Sequence, residues 1–154
     1  MPLKNYTTEV PAGRSLSQIQ ANLVAHGARA VMINYTAERE PESLSFIIAT
    51  PQGEMPFRLP ANIPAVAKLL AKMGDPDYRK WDSRYQQQKA ERLRKQAPMV
   101  AWRIIKDWTD AQLAIIETEM VTMEQVFLPY MQVNGGQTLY ELMVSKRFLM
   151  PEGK

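Results

Sequence analysis

The richest chemistry in this sequence lies in a basic stretch with aromatic residues set among its cations. Residues 77 to 106 hold nine Lys or Arg against three Asp or Glu. A helix over residues 77–96, advancing about 100° per residue, puts Lys80, Arg84, Arg92 and Lys95 in one stripe. Tyr78, Trp81 and Tyr85 border that stripe, and their line runs on into Lys89 and Arg92. Lysine and arginine neutralise phosphates with release of counterions, and flat rings stack on unpaired bases, so the combination predicts contact with nucleic acid. The leading expectation is sequence-tolerant binding of DNA, single-stranded above all, with Arg103 and Lys106 extending the surface past Pro98. The competing reading packs the rings onto the domain and leaves the cations to solvate the outer side of the helix. Arg103 and Lys106 also have Asp107 and Asp110 four residues on, the spacing of ordinary surface pairs.

Other chemistries find less support. Asp107, Asp110, Glu117, Glu119 and Glu124 form an acidic portion, but no D-x-D-x-D-G loop occurs and Glu117 does not follow Asp107 and Asp110 on one helix side. No metal site or cofactor is expected from them; a solvated or partner-facing acidic surface is. His26, the one histidine, stands just before Gly27 at a predicted helix end, where an imidazole meets a free carbonyl and the helix dipole favours a cation. There is no G-x-S-x-G, H-E-x-x-H or G-x-x-x-x-G-K, and no cysteine to supply a thiolate, a disulfide or a cluster ligand. No catalytic residue is nominated, and the chain is read as a binding protein rather than an enzyme. The ten methionines include Met120, Met123, Met131, Met143 and Met150, near Phe127, Tyr130 and Phe148. Flexible thioethers fill core gaps and also make adaptable binding faces. If exposed, they favour a homo-oligomer or a protein partner of host or phage origin.

Several elements must position these groups. Residues 4–10 predict a strand through Tyr6, Thr7 and Thr8, closed by Pro11 and Gly13. Leu16, Ile19, Leu23 and Val24 recur at helical spacing until Gly27, with Ser15 or Ser17 as cap. Residues 28–35 and 44–50 read as a hairpin around the charged turn Glu38-Arg39-Glu40-Pro41-Glu42, and Pro51-Gln52-Gly53 leads into a third strand whose Pro56 marks an edge. Asn62 caps a helix carrying Val66, Leu69, Leu70 and Met73; Asp75-Pro76 starts the basic one, and Pro98 breaks or kinks it. Beyond Pro98 a core helix runs to about Glu119 with Ala101, Ile104, Ile105, Trp108, Ala111 and Ile115 on one side. Thr122 and Thr138 cap two short helices, the first ended by Pro129 and the second near Phe148, with Asn134-Gly135-Gly136 as a turn between them.

The expected fold class is therefore α+β, a small mainly antiparallel sheet in the order β-α-β-β-β followed by a C-terminal helical half. One domain covers residues 1–154, with a sheet-forming half at 1–60 and a helical half at 61–150. At 154 residues, 45% hydrophobic and 23% charged, the chain can bury a core without staples. No run approaches a membrane span and the N-terminus lacks a signal-peptide stretch, so no membrane partner is expected and the cytoplasm is the expected compartment. Net charge is +3, distributed as +1 over residues 1–76, +6 over 77–106 and −4 over 107–154.

The stretches NYTTEVPAGRSLSQIQANLVAHGARAVMINY, FRLPANI and VAWRIIKDWTDAQLAIIETEMVTMEQVFLPYM resemble an uncharacterised family of small proteins carried by bacteriophages and prophages. The likeness spans most of the chain outside residues 75–97 and the last few. It transfers no catalytic or binding residue and implies a mobile-element setting, in which DNA handling and counter-defence are both common tasks.

Overall fold

Local signals explain most of the elements in the computed structural model, which describes residues 2–73, 81–134 and 136–146. Helix α1 (Ala12–Ala25) stops where Gly27 adopts φ 103°, a left-handed conformation that costs glycine little, and the chain enters strand β1 (Ala28–Tyr35). Strands β2 (Pro41–Thr50) and β3 (Gly53–Pro60) follow, and Thr50 pairs with Gly53 across the two-residue turn Pro51-Gln52. The sheet is antiparallel in the order β1-β2-β3. Helix α2 (Ile63–Lys72) is capped by Asn62, whose side-chain oxygen accepts from the Ala65 N–H, and Pro64 sits in its first turn. Next come the long α3 (Ser83–Glu117), the short α4 (Met123–Phe127), a single 3₁₀ turn (Leu128–Tyr130) and α5 (Leu139–Ser145). Thr122 makes a reciprocal capping box with Gln125, and Thr138 accepts from the Glu141 N–H, so both predicted caps are present. The α+β class holds.

Three expectations need correction. Residues 4–10 form successive turns rather than a strand, so the sheet has three strands among the described residues and the order begins α-β-β-β. Asn5 turns left-handed at φ 62°, and the carbonyls of Tyr6 and Thr8 are taken by the Gln96 side-chain amide at 3.0 and 2.8 Å. With those acceptors held by a helix side chain, the β-favouring residues meet no strand to pair with. Pro98 does not break α3, which runs unbroken through it. Ala97, Pro98, Val100, Ala101 and Trp102 are all buried, and burial on so many sides of the helix offsets the roughly 3 kcal/mol cost of an interior proline. The predicted apolar side holds only in part: Ala101 is buried and Ile104 joins the core, but Trp108 is half-buried and Ala111 and Ile115 are exposed, while Trp102, Thr109 and Leu113 are buried on another side of the helix.

The chain forms two compact units, Met1–Ile19 with Ala61–Asp110 and Gln20–Pro60 with Ala111–Lys154; two of the three divisions fall inside helices, α1 and α3, and the third between β3 and α2. In the first unit, Leu70 of α2 packs with Ala97 and Val100 of α3, joined by Leu3, Ile63, Val66, Ala67, Met73, Leu93 and Ile104. In the second, the register sets Val31, Phe46 and Phe57 in one row and Ile33, Leu44 and Leu59 in the next, all on one sheet face. Phe46 stacks on Phe57 with centroids 5.2 Å apart, and Phe127 of α4 meets both edge-on. Such ring pairs add about 0.5–1.5 kcal/mol each beyond the area they bury.

Candidate nucleic-acid interface

The first unit carries the basic segment, and its geometry starts from the cap of α3. The Asp82 carboxylate accepts from the backbone N–H groups of Arg84 and Tyr85 at 3.1 and 3.2 Å, which satisfies free donors and places a negative charge at the positive helix end. Helix α3 therefore begins at Ser83, with Trp81 ahead of it; residues 77–80 of the predicted helix lie outside the described residues. Trp81 is 92% exposed, an unusual state for the largest apolar side chain. Tyr78 and Lys80 lie outside the described residues.

Following α3 inward, Arg84, Arg92 and Lys95 are exposed, as the predicted stripe requires. Arg94 adds a cation that the stripe left out; its side chain is 78% exposed and touches Glu91 only at 4.0 Å. Its signal in the sequence was its place in the Arg-Leu-Arg-Lys run, where two faces of the helix receive positive charge. From Arg84 to Lys95 the helix advances about 16 Å, so these cations line a track rather than a point.

Four predicted members of the surface belong elsewhere. Lys89 is buried, and its ammonium donates to the carbonyl of Ala71 at 2.7 Å, in the last turn of α2. A cation at a helix C-terminus satisfies an orphan carbonyl and suits the dipole, so Lys89 ties α2 to α3 instead of facing a ligand. Tyr85 is half-buried and has an interaction of its own. Arg103 donates to the Gln18 side-chain oxygen at 2.7 Å, and Lys106 meets Asp110 at 2.6 Å with its side chain 18% exposed. The Lys106 pair has the expected spacing. Arg103 instead reaches α1, and Asp107 is engaged by Asn5 at 2.9 Å and Lys4 at 3.4 Å. The Asn5 amide, then Lys4 and Arg103, hold the Asp107 carboxyl below its usual range.

The acidic portion is divided in the same manner, with Asp107 and Asp110 in the pairs just given and Glu117 beside His26. Glu119 is exposed and Glu124 half-buried. Among the described residues no group of three or more His, Asp or Glu side chains is placed to hold a metal ion. Of the methionines, Met123 is buried, Met131 and Met143 are half-buried, and Met120 is 71% exposed. Met150 and Phe148 lie outside the described residues.

His26 fulfils the helix-end role. Its Nδ1 donates to the Asn22 carbonyl at 2.7 Å, and its Nε2 stands 2.7 Å from the Glu117 carboxylate. A neutral ring has one N–H for two acceptors, so the charged ring fits best. The Asn22 carbonyl foremost, then Glu117, outweigh desolvation and raise the histidine pKa above its ordinary value. A raised folded-state pKa stabilises fully below the unfolded value, about 6.5, and that contribution is lost as pH rises through the folded one. The melting temperature of the parent should therefore exceed that of His26→Ala by most at mildly acid pH, with the gap narrowing as pH rises. A gap that stays constant across the neutral range would show that the ring's charge adds nothing.

No family model matches the chain, and no curated protein or solved structure matches it significantly. Among the described residues no helix is long and apolar enough to cross a membrane.

Proposed function

We propose that this chain binds nucleic acid without sequence preference, single strands in particular, in the setting of a phage or other mobile element. The supporting observation is the 92% exposed Trp81 next to a helix that presents Arg84, Arg92, Arg94 and Lys95 to solvent. A ring in water beside a helix rich in exposed cations matches what a single strand needs: a stacking platform for a base and positive charge for successive phosphates. The reading is of a binding activity, and it assigns no catalytic role to these side chains. Duplex DNA offers the phosphates but keeps its bases stacked, so the tryptophan has less to gain there.

Fluorescence anisotropy with labelled single-stranded and duplex oligonucleotides tests the proposal. Binding by the parent should weaken steeply with salt. Trp81→Ala should cost about 1–3 kcal/mol on single strands and less on duplex, with folding unchanged. The absence of salt-sensitive binding to any DNA or RNA at low ionic strength would overturn it. Equal losses on single strands and duplex would remove the stacking role.

A further inference from the structure

The sheet has two border strands, and among the described residues the chain protects only one of them. Strand β3 carries Pro56 and Pro60, and its outer side meets the segment after α4: Phe57 bridges to Met131, and the Gln132 N–H donates to the Pro56 carbonyl at 2.8 Å. Strand β1 has no such cover. Among the described residues it pairs with β2 alone, so it presents a row of backbone donors and acceptors along its other side. It is eight residues long with no proline, lysine or acidic residue, and Arg29 is its one charge. Met32 and Tyr35 are each 58% exposed, Ala30 is exposed, and Val31 and Ile33 are half-buried. Edge strands that remain in water are ordinarily blunted by charge, proline or a bulge in mid-strand; β1 has its irregularities only at its two ends, between Ala28 and Ala30 and between Asn34 and Tyr35.

We infer that β1 pairs with β1 of a second copy of this chain, antiparallel about a two-fold axis, joining two three-stranded sheets into one of six. The regular stretch Ala30–Asn34 is symmetric about Met32, so a register centred there sets Val31 of one copy opposite Ile33 of the other. Val31 and Ile33 end the two rows that hold Phe46 and Leu44, and pairing them across copies continues the apolar face of each sheet into the next. Charge selects the direction. Arg29 stands at the start of β1, while its end leads into a turn with Glu38 and Glu40 exposed on either side of Arg39, and Glu42 is exposed at the start of β2. Antiparallel self-pairing brings the basic end of each copy beside the acidic end of the other, twice over; parallel pairing would set like against like. Arg29 already reaches Glu54 at 3.1 Å within its own sheet, but both side chains remain more than half exposed, so that charge still faces an incoming copy.

Sedimentation equilibrium over a wide concentration range, without nucleic acid, tests this independently of the function proposed above. The parent should show a monomer–dimer equilibrium, Met32→Lys should be monomeric, and Arg29→Glu should weaken the dimer at least several-fold. Adding Glu38→Lys and Glu40→Lys to Arg29→Glu should restore it, a result that a merely damaged fold would not give. Circular dichroism verifies folding; if Met32→Lys unfolds, the charge reversal and its rescue still decide. A parent that is monomeric at every concentration overturns the inference, as does a dimer indifferent to the Arg29 and Met32 changes.

Discussion

Replacing Trp102 by alanine will destabilise the protein by about 3–5 kcal/mol, the largest effect expected of a single side chain here. The ring is fully buried in the middle of α3, between Ala101 and half-buried Arg103, so its removal leaves a cavity that a long, continuous helix cannot collapse to fill. In a chain of this length such a loss lowers the thermal midpoint on the order of 10 °C. The other tryptophans supply the comparison. Trp81→Ala, at 92% exposure, should stay within about 0.5 kcal/mol of the parent. Trp108→Ala should fall between them, since that ring is half-buried. Thermal or urea unfolding of the three variants checks the order, and an unmoved midpoint for Trp102→Ala would show that the packing of α3 is wrong.

Neutralising Arg84, Arg92, Arg94 and Lys95 together, as glutamines, should abolish detectable binding of single-stranded DNA while leaving the fold intact. All four are exposed, and surface changes of this kind usually cost within about 0.5 kcal/mol each. With a slope of about −0.7 in log K against log salt for each phosphate contacted, four contacts account for about 3 of the salt slope of the parent. Lys89→Met provides the contrast. It removes one positive charge from the same helix, but a buried one held against the Ala71 carbonyl, and losing a charged hydrogen bond costs about 1.5–3 kcal/mol. The Lys89 variant should therefore melt earlier and still bind, whereas the fourfold variant should melt normally and fail to bind. Unimpaired binding by the fourfold variant would move the interface away from α3.

The residues of the proposed track were legible in the sequence as a group but not one by one. Helical counting put Arg84, Arg92 and Lys95 on a common stripe and they are exposed; the same counting placed Lys89 on the line and could not show that α2 ends beside it. The helical period offers Arg103 the partner Asp107 four residues on, but Arg103 donates to Gln18, 85 residues away in sequence. Short-range pairs follow from the period of a helix, while a long-range partner depends on which elements meet. The core tryptophan is Trp102 rather than Trp108 for a related reason: α3 is buried on two sides, with Ala97 and Val100 packed against Leu70 on one and Trp102, Thr109 and Leu113, close in helical angle, buried on the other.

What the sequence by itself determined were the features governed by neighbours in the chain. The caps at Asn62, Thr122 and Thr138, the stop at Gly27 and the turn at Pro51-Gln52 all depend on dihedral preferences and hydrogen bonds within a few residues. The tertiary structure decided the rest. It turned residues 4–10 into a strap along α3 rather than a strand, carried α3 through Pro98, buried Lys89 and left Trp81 and β1 open. In each case a local preference worth about 1–3 kcal/mol met packing or hydrogen bonding to a distant element, and whether such an element was present settled the outcome.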